Sequence, residues 1–135
     1  MMTRIYAVLV FIAAICITMA AQSDPTLISA NIPRHPPLAR QARIEGMVKL
    51  TFTLAANAVE PTNVEVVSGH PVLSASAVEN VKTWRFQNPY AVERKYETTF
   101  DYRLPLSEGS QKVTFESFHK VEIVTYAPAQ SEIHY

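Results

Sequence analysis

Residues 63–86 read NVEVVSGHPVLSASAVENVKTWRF, and the change of period inside this stretch decides the fold. Val64 and Val66 alternate with Asn63 and Glu65, the period-two pattern of a half-buried strand. Ser68-Gly69-His70-Pro71 then supplies a turn, because Gly admits positive φ and Pro suits the first turn of a helix. From Leu73 the spacing lengthens, and Leu73, Ala77, Val81 and Trp84 form one stripe at about 3.6 residues per turn. Trp84 and Phe86 close this helix with the largest apolar surfaces nearby, and Asn88-Pro89 stops it. A strand that turns directly into an amphipathic helix folds that helix back over its own sheet. Trp84 and Phe86 are therefore expected against Val48, Leu50, Phe52 and the face that carries Val64 and Val66.

Working outward, Val48, Leu50, Phe52 and Leu54 alternate with Lys49, Thr51 and Thr53. This is a strand with one face in the core and one in water, as antiparallel sheets allow. Residues 55–58 reverse the chain into the Val64 strand, with Asn57 the residue best able to take positive φ. Upstream, Pro36-Pro37 opens a short helix over residues 38–43 with Leu38, Ala39 and Ala42 on one side. Alone it is too short to persist in water, so it must dock. Downstream, residues 87–93 form a loop. Tyr96, Thr98, Phe100, Tyr102 and Leu104 then alternate with polar residues as a strand that Pro105 ends. Beyond a wide turn at residues 107–110, Val113, Phe115, Val121 and Ile123 again read as strand, either one long strand or a hairpin folded near residues 117–120. A lone strand is unstable, so this tail is expected to pair with the nearest edge, residues 96–104. Residues 127–135 read as a loose tail.

The chain has 135 residues, of which residues 5–21 carry no charge and follow a short basic start ending in Arg4. Small residues at Ala20-Ala21 suit a cleaved export signal, while the alternative is a retained membrane anchor near the lower length limit for a spanning helix. Both readings place the remainder outside the cytoplasm. Residues 22–31 read as a short polar linker. Cys16, the single cysteine, lies within the apolar run, so the exported part has no disulfide and no thiol chemistry. Residues 32–106 make one domain, followed by an extension over residues 107–135. Twelve basic and twelve acidic residues cancel, which leaves no electrostatic footprint for nucleic acid.

Chemistry is sparse. His35, His70, His119 and His134 show no metal-ligand spacing, and they read as exposed loop or edge residues. Ser68-Gly69-His70 lacks the strand–elbow–helix context of a nucleophile, and the three glycines do not cluster into a phosphate cradle. No catalytic residue, cofactor site or metal site is expected.

With these motifs in place, the chain resembles the C-terminal domain of TonB, the periplasmic end of the energy transducer of Gram-negative bacteria. The resemblance rests on His35-Pro36-Pro37-Leu38-Ala39, on residues 43–52 (RIEGMVKLTF), on residues 63–69 (NVEVVSG), and on Val81 through Trp84-Arg85-Phe86 with Pro89. It spans about residues 32–104 and implies an α+β fold, with two helices packed on one face of a small antiparallel sheet. Extra C-terminal strand or strands would follow. The family's domain binds a short extended peptide, the TonB box of an outer-membrane transporter, which adds a strand to the sheet edge. Carried over, the receiving edge would be Tyr96, Thr98, Phe100 and Tyr102, with Ile32, Pro33 and Arg34 beside the peptide. The implied partner is an outer-membrane TonB-dependent transporter or another envelope protein. The alternative is a structural, self-associating domain, uncoupled from energy transduction, whose edge pairs with a second copy. Residues 22–31 reach about 35 Å at most, which is too short to cross a periplasm, and the apolar run carries no histidine.

Overall fold

The computed structural model describes residues 24–106 and 109–126. In chain order it contains β1 (Thr26–Ser29), α1 (Pro37–Gln41), β2 (Gly46–Leu54), β3 (Thr62–Ser68), α2 (Pro71–Val81), β4 (Arg85–Gln87), β5 (Arg94–Arg103), β6 (Lys112–Ser117) and β7 (Lys120–Val124). Residues 1–21 with Cys16, and residues 127–135 with His134, lie outside the described residues. Among the described residues, no helix is long and apolar enough to cross a membrane.

The two strands with the cleanest alternation form the centre of the sheet. β2 pairs antiparallel with β5 along its whole length, from Gly46↔Tyr102 to Leu54↔Arg94. Their apolar positions share one face, so Val48 stands opposite Phe100 and Phe52 opposite Tyr96. The other face is polar, and there Lys49 lies 3.6 Å from Glu97 and Lys95 lies 3.7 Å from Glu65. The full order is β3-β2-β5-β7-β6, with β1 and β4 forming a separate two-stranded sheet. The fold is thus α+β, and it is mixed rather than wholly antiparallel, because β7 runs parallel to β5. Val121 and Ile123 of β7 extend the inner face and are fully buried.

Local chemistry sets the ends of α2. His70 caps its start, its Nδ1 accepting from the Val72 N–H at 3.2 Å, and Pro71 occupies the first turn. Gly69 has a φ of +133°, and a Cβ there would meet Val48 Cγ2 at 2.9 Å, so the turn needs glycine for both reasons. The helix stops at Val81, earlier than the apolar stripe suggests. Thr83 Oγ1 donates to the Asn80 carbonyl at 2.7 Å, and the chain turns so that Phe86 enters β4 rather than a last helical turn.

Trp84 is fully buried in the middle of the aromatic core. It stacks on Phe100 at 5.9 Å between centroids and meets Phe52 edge-on at 5.9 Å. Phe86 stacks on Phe52 at 5.6 Å and meets Phe118 edge-on.

Four further local expectations differ from the structure. Val66 is 47% exposed, because β3 is the outermost strand and its register against β2 shifts twice; only Val64 packs on the core. Leu38 is 61% exposed, since a helix of five residues buries a single position, Ala39. The stretch expected to be a linker contains β1, where Leu27 pairs with Phe86 and packs on the core.

His35 is buried rather than exposed, packing edge-on against Tyr102 at 5.4 Å. Its Nε2 lies 2.9 Å from the Ile44 carbonyl, so that nitrogen carries the proton, and buried Nδ1 has no partner. Burial holds the His35 pKa below its usual value, and nearby Arg40 adds to the effect. Burial also pushes the Tyr102 phenol up to about 12, so the ring stays neutral.

Two measurements check this core. Trp84→Ala should lose about 3–5 kcal/mol in denaturant unfolding, a large part of the stability of a domain of this size. Because the folded pKa of His35 is lowered, its contribution is fully present above the unfolded value near 6.5 and is lost as pH falls below it. The thermal midpoint should therefore drop from pH 7.5 to pH 5.5, and His35→Leu should flatten that decline.

Candidate functional site

The direction of each backbone group along the tail shows which edge of the large sheet is open. Thr99 N–H donates to His119 O, and Thr125 N–H donates to Arg103 O. In a parallel pair alternate residues face the same neighbour, so Val121 and Ile123 also turn toward β5. Glu122 and Val124 are left to face β6, where they stand opposite Thr114 and Lys112. Val113 and Phe115 therefore aim their N–H and C=O groups away from the sheet, and among the described residues β6 has no strand on that side.

The same reasoning orients β1. Phe86 N–H donates to Val59 O, so Phe86 turns its backbone groups away from β1. Its partner Leu27 accordingly turns its own groups away from β4. Two unpaired edges, one at Leu27 and one at Val113 and Phe115, border a single trough.

Three cavities make up that trough, and Phe115 lines all of them. The largest, about 680 Å³, lies between Ile32, Arg34 and Arg40 on one side and Val113, Phe115 and Thr125 on the other. A second of about 360 Å³ lies between Asp24, Pro25 and Leu27 and the end of β6 at Ser117 and Phe118. A third of about 200 Å³ is walled by Leu27–Ala30 of the β1 segment and by Phe115. Both ends are pinned. His119 Nε2 lies 2.8 Å from Asp24 Oδ2 with its Nδ1 2.9 Å from Glu97 O, and Gln111 Nε2 donates to Pro33 O at 3.4 Å.

The path of the Ile32 segment is fixed from below. Asn31 N–H donates to Thr83 Oγ1 at 3.0 Å, and the Asn31 carbonyl accepts from Asn80 Nδ2 at 2.9 Å. Pro33 and His35 are buried while Ile32 and Arg34 are exposed, so alternate residues of an extended chain face the trough. Among the described residues, no carboxylate pairs with Arg34 or Arg40. The Arg end of the trough is therefore positive and apolar at once.

The sequence-derived positions fall on both sides of this geometry. Ile32 and Arg34 line the trough, and Pro33 anchors its rim through Gln111. Tyr96, Thr98, Phe100 and Tyr102 lie on the inner face of β5, from half-buried at Tyr96 to fully buried at Thr98 and Phe100. The outer side of β5 carries β7 from Thr99 to Arg103, and the Glu97 carbonyl beyond it is held by His119. Sequence reasoning missed Leu27 and Gln111. The alternation of Val113 with Phe115 marked a strand in the tail but not which of its sides stays open. Among the described residues, no group of three metal-ligating side chains converges.

Residues 31–104, more than half of the chain, match the family described as Gram-negative bacterial TonB protein C-terminal. The solution NMR structure of the Pseudomonas aeruginosa TonB C-terminal domain matches at 24% identity with a TM-score of 0.51. That match covers 67% of this chain and 94% of that one. No curated protein matches the sequence. The order of the matched motifs and the helix-on-sheet fold agree, and the chain belongs to the TonB C-terminal domain family.

Proposed function

We propose that this chain is a non-enzymatic interaction module of the cell envelope, working in the periplasm, that takes up an extended segment of a partner protein as an added strand. The observation that carries this reading is the outward-facing backbone of Val113 and Phe115 on the open edge of β6, beside an apolar wall. An unpaired strand edge offers donors and acceptors at regular spacing, and pockets for alternate side chains supply selectivity. The receiving strand is β6, because β7 already covers β5 along the second half of the strand. An outer-membrane TonB-dependent transporter is the partner class that the family suggests.

Thr114 lies between the two outward-facing residues and suits a photocrosslinking side chain in cells. Crosslinked peptides should come from extended segments of outer-membrane transporters or other envelope proteins. Val113→Pro, which removes an outward donor, should lower that crosslinking by about tenfold, whereas Val113→Ala should retain most of it. Crosslinks only between copies of this chain would replace the reading with self-association through the same edge.

A further inference from the structure

Resting on that reading, we infer that the bound strand is gripped along both of its edges, by β6 on one side and β1 on the other, and that it carries a carboxylate at the Arg34–Arg40 end. A strand lying in the trough meets the outward groups of Val113 and Phe115 along one edge and those of Leu27 along the other. Its insertion joins the two-stranded sheet to the five-stranded sheet, so that β4 through β3 become one continuous ladder.

The walls select the occupant. Phe115 contributes to all three cavities, and Ile32 and Val113 flank it in the largest, so every second ligand side chain meets apolar surface. The intervening side chains face outward beside Lys112 and Glu116, which are solvated. At the Gln111 end, Arg34 and Arg40 stand without a carboxylate partner among the described residues. Arg is suited to holding a carboxylate there through paired N–H groups. The occupant is therefore an extended peptide, alternately apolar, with an acidic residue at one end.

The test uses the full exported chain and Val/Thr-alternating hexapeptides, blocked at both termini. One carries Glu at its first position, one carries Glu at its last, and one carries Gln at both. One of the Glu peptides should bind about tenfold tighter than the Gln peptide, and Arg34→Gln with Arg40→Gln should abolish that preference. Amide exchange should show new protection at Leu27 together with Val113 and Phe115. Leu27→Pro removes the β1 donor and should weaken binding about tenfold, while Leu27→Ala keeps the donor and should weaken it less. Protection at Val113 and Phe115 without Leu27 would overturn the two-edged grip and leave single-edge addition standing. Equal losses for Leu27→Pro and Leu27→Ala would also overturn it. No protection at any of the three amides up to millimolar peptide would overturn strand addition itself. Protection at all three without peptide, in a sample that sediments as a dimer, would give the trough to a second copy and overturn the peptide assignment.

Discussion

The indole N–H of Trp84 must find an acceptor inside an aromatic core, and the way it does so organises the rest of the molecule. Asn80 Oδ1 accepts that hydrogen at 2.9 Å, one turn earlier on α2. An amide side chain used as acceptor has two donors left, and Nδ2 gives one to the Asn31 carbonyl. Asn31 in turn donates to Thr83, whose hydroxyl closes the circuit on Asn80. Burying the largest side chain of the domain therefore fixes the end of the helix and the path of the N-terminal segment together. A buried polar network of this kind is stable only when its members are satisfied, so the wall of the trough inherits the rigidity of the core.

The second organising fact is the position of β7. Placing the later strand of the tail hairpin on β5, and the earlier one outside it, makes the β5–β7 pair parallel. It also exports the open edge by two strands. Exposed strand edges invite unwanted pairing, and this one is partly protected by its setting. Lys112 and Glu116 are exposed along β6, the Asp24–His119 and Gln111–Pro33 contacts narrow the approach at both ends, and β1 stands opposite. Such an edge would admit a strand that can slide into a trough and resist a flat sheet.

Much of this was legible in the sequence because the signals were local. The alternation from Val48 to Leu54 and from Tyr96 to Leu104 marked the two central strands, and Gly69-His70-Pro71 marked the start of α2. The family motifs in residues 32–104 supplied the helix-on-sheet arrangement. What escaped was set by tertiary partners. β1 is a strand of four residues that exists because β4 lies beside it, and no four-residue window announces that. His35 is buried because Ile44 offers a carbonyl and Tyr102 a ring, both remote or unpatterned in sequence. The open edge depended on which strand of the tail docked on β5, and alternation carries no information about strand order.

A strand added to β6 alone would bind weakly. Val113 and Phe115 offer backbone groups worth about 1 kcal/mol per hydrogen bond, against a rigid-body cost of at least about 4 kcal/mol. Single-edge addition thus comes close to cancelling. Leu27 would add bonds on the opposite edge at little further cost in freedom, since the strand would already be immobilised, and the walls around Phe115 would add buried apolar area. The trough is also largely preformed, because Asn31, Asn80 and Thr83 hold one wall and β7 holds the other. Little ordering of the protein is then charged against binding. The feature that would turn an ordinary sheet edge into a site is the N-terminal segment held one trough away from it, and that segment is held by Asn80, the side chain that also accepts the Trp84 indole N–H.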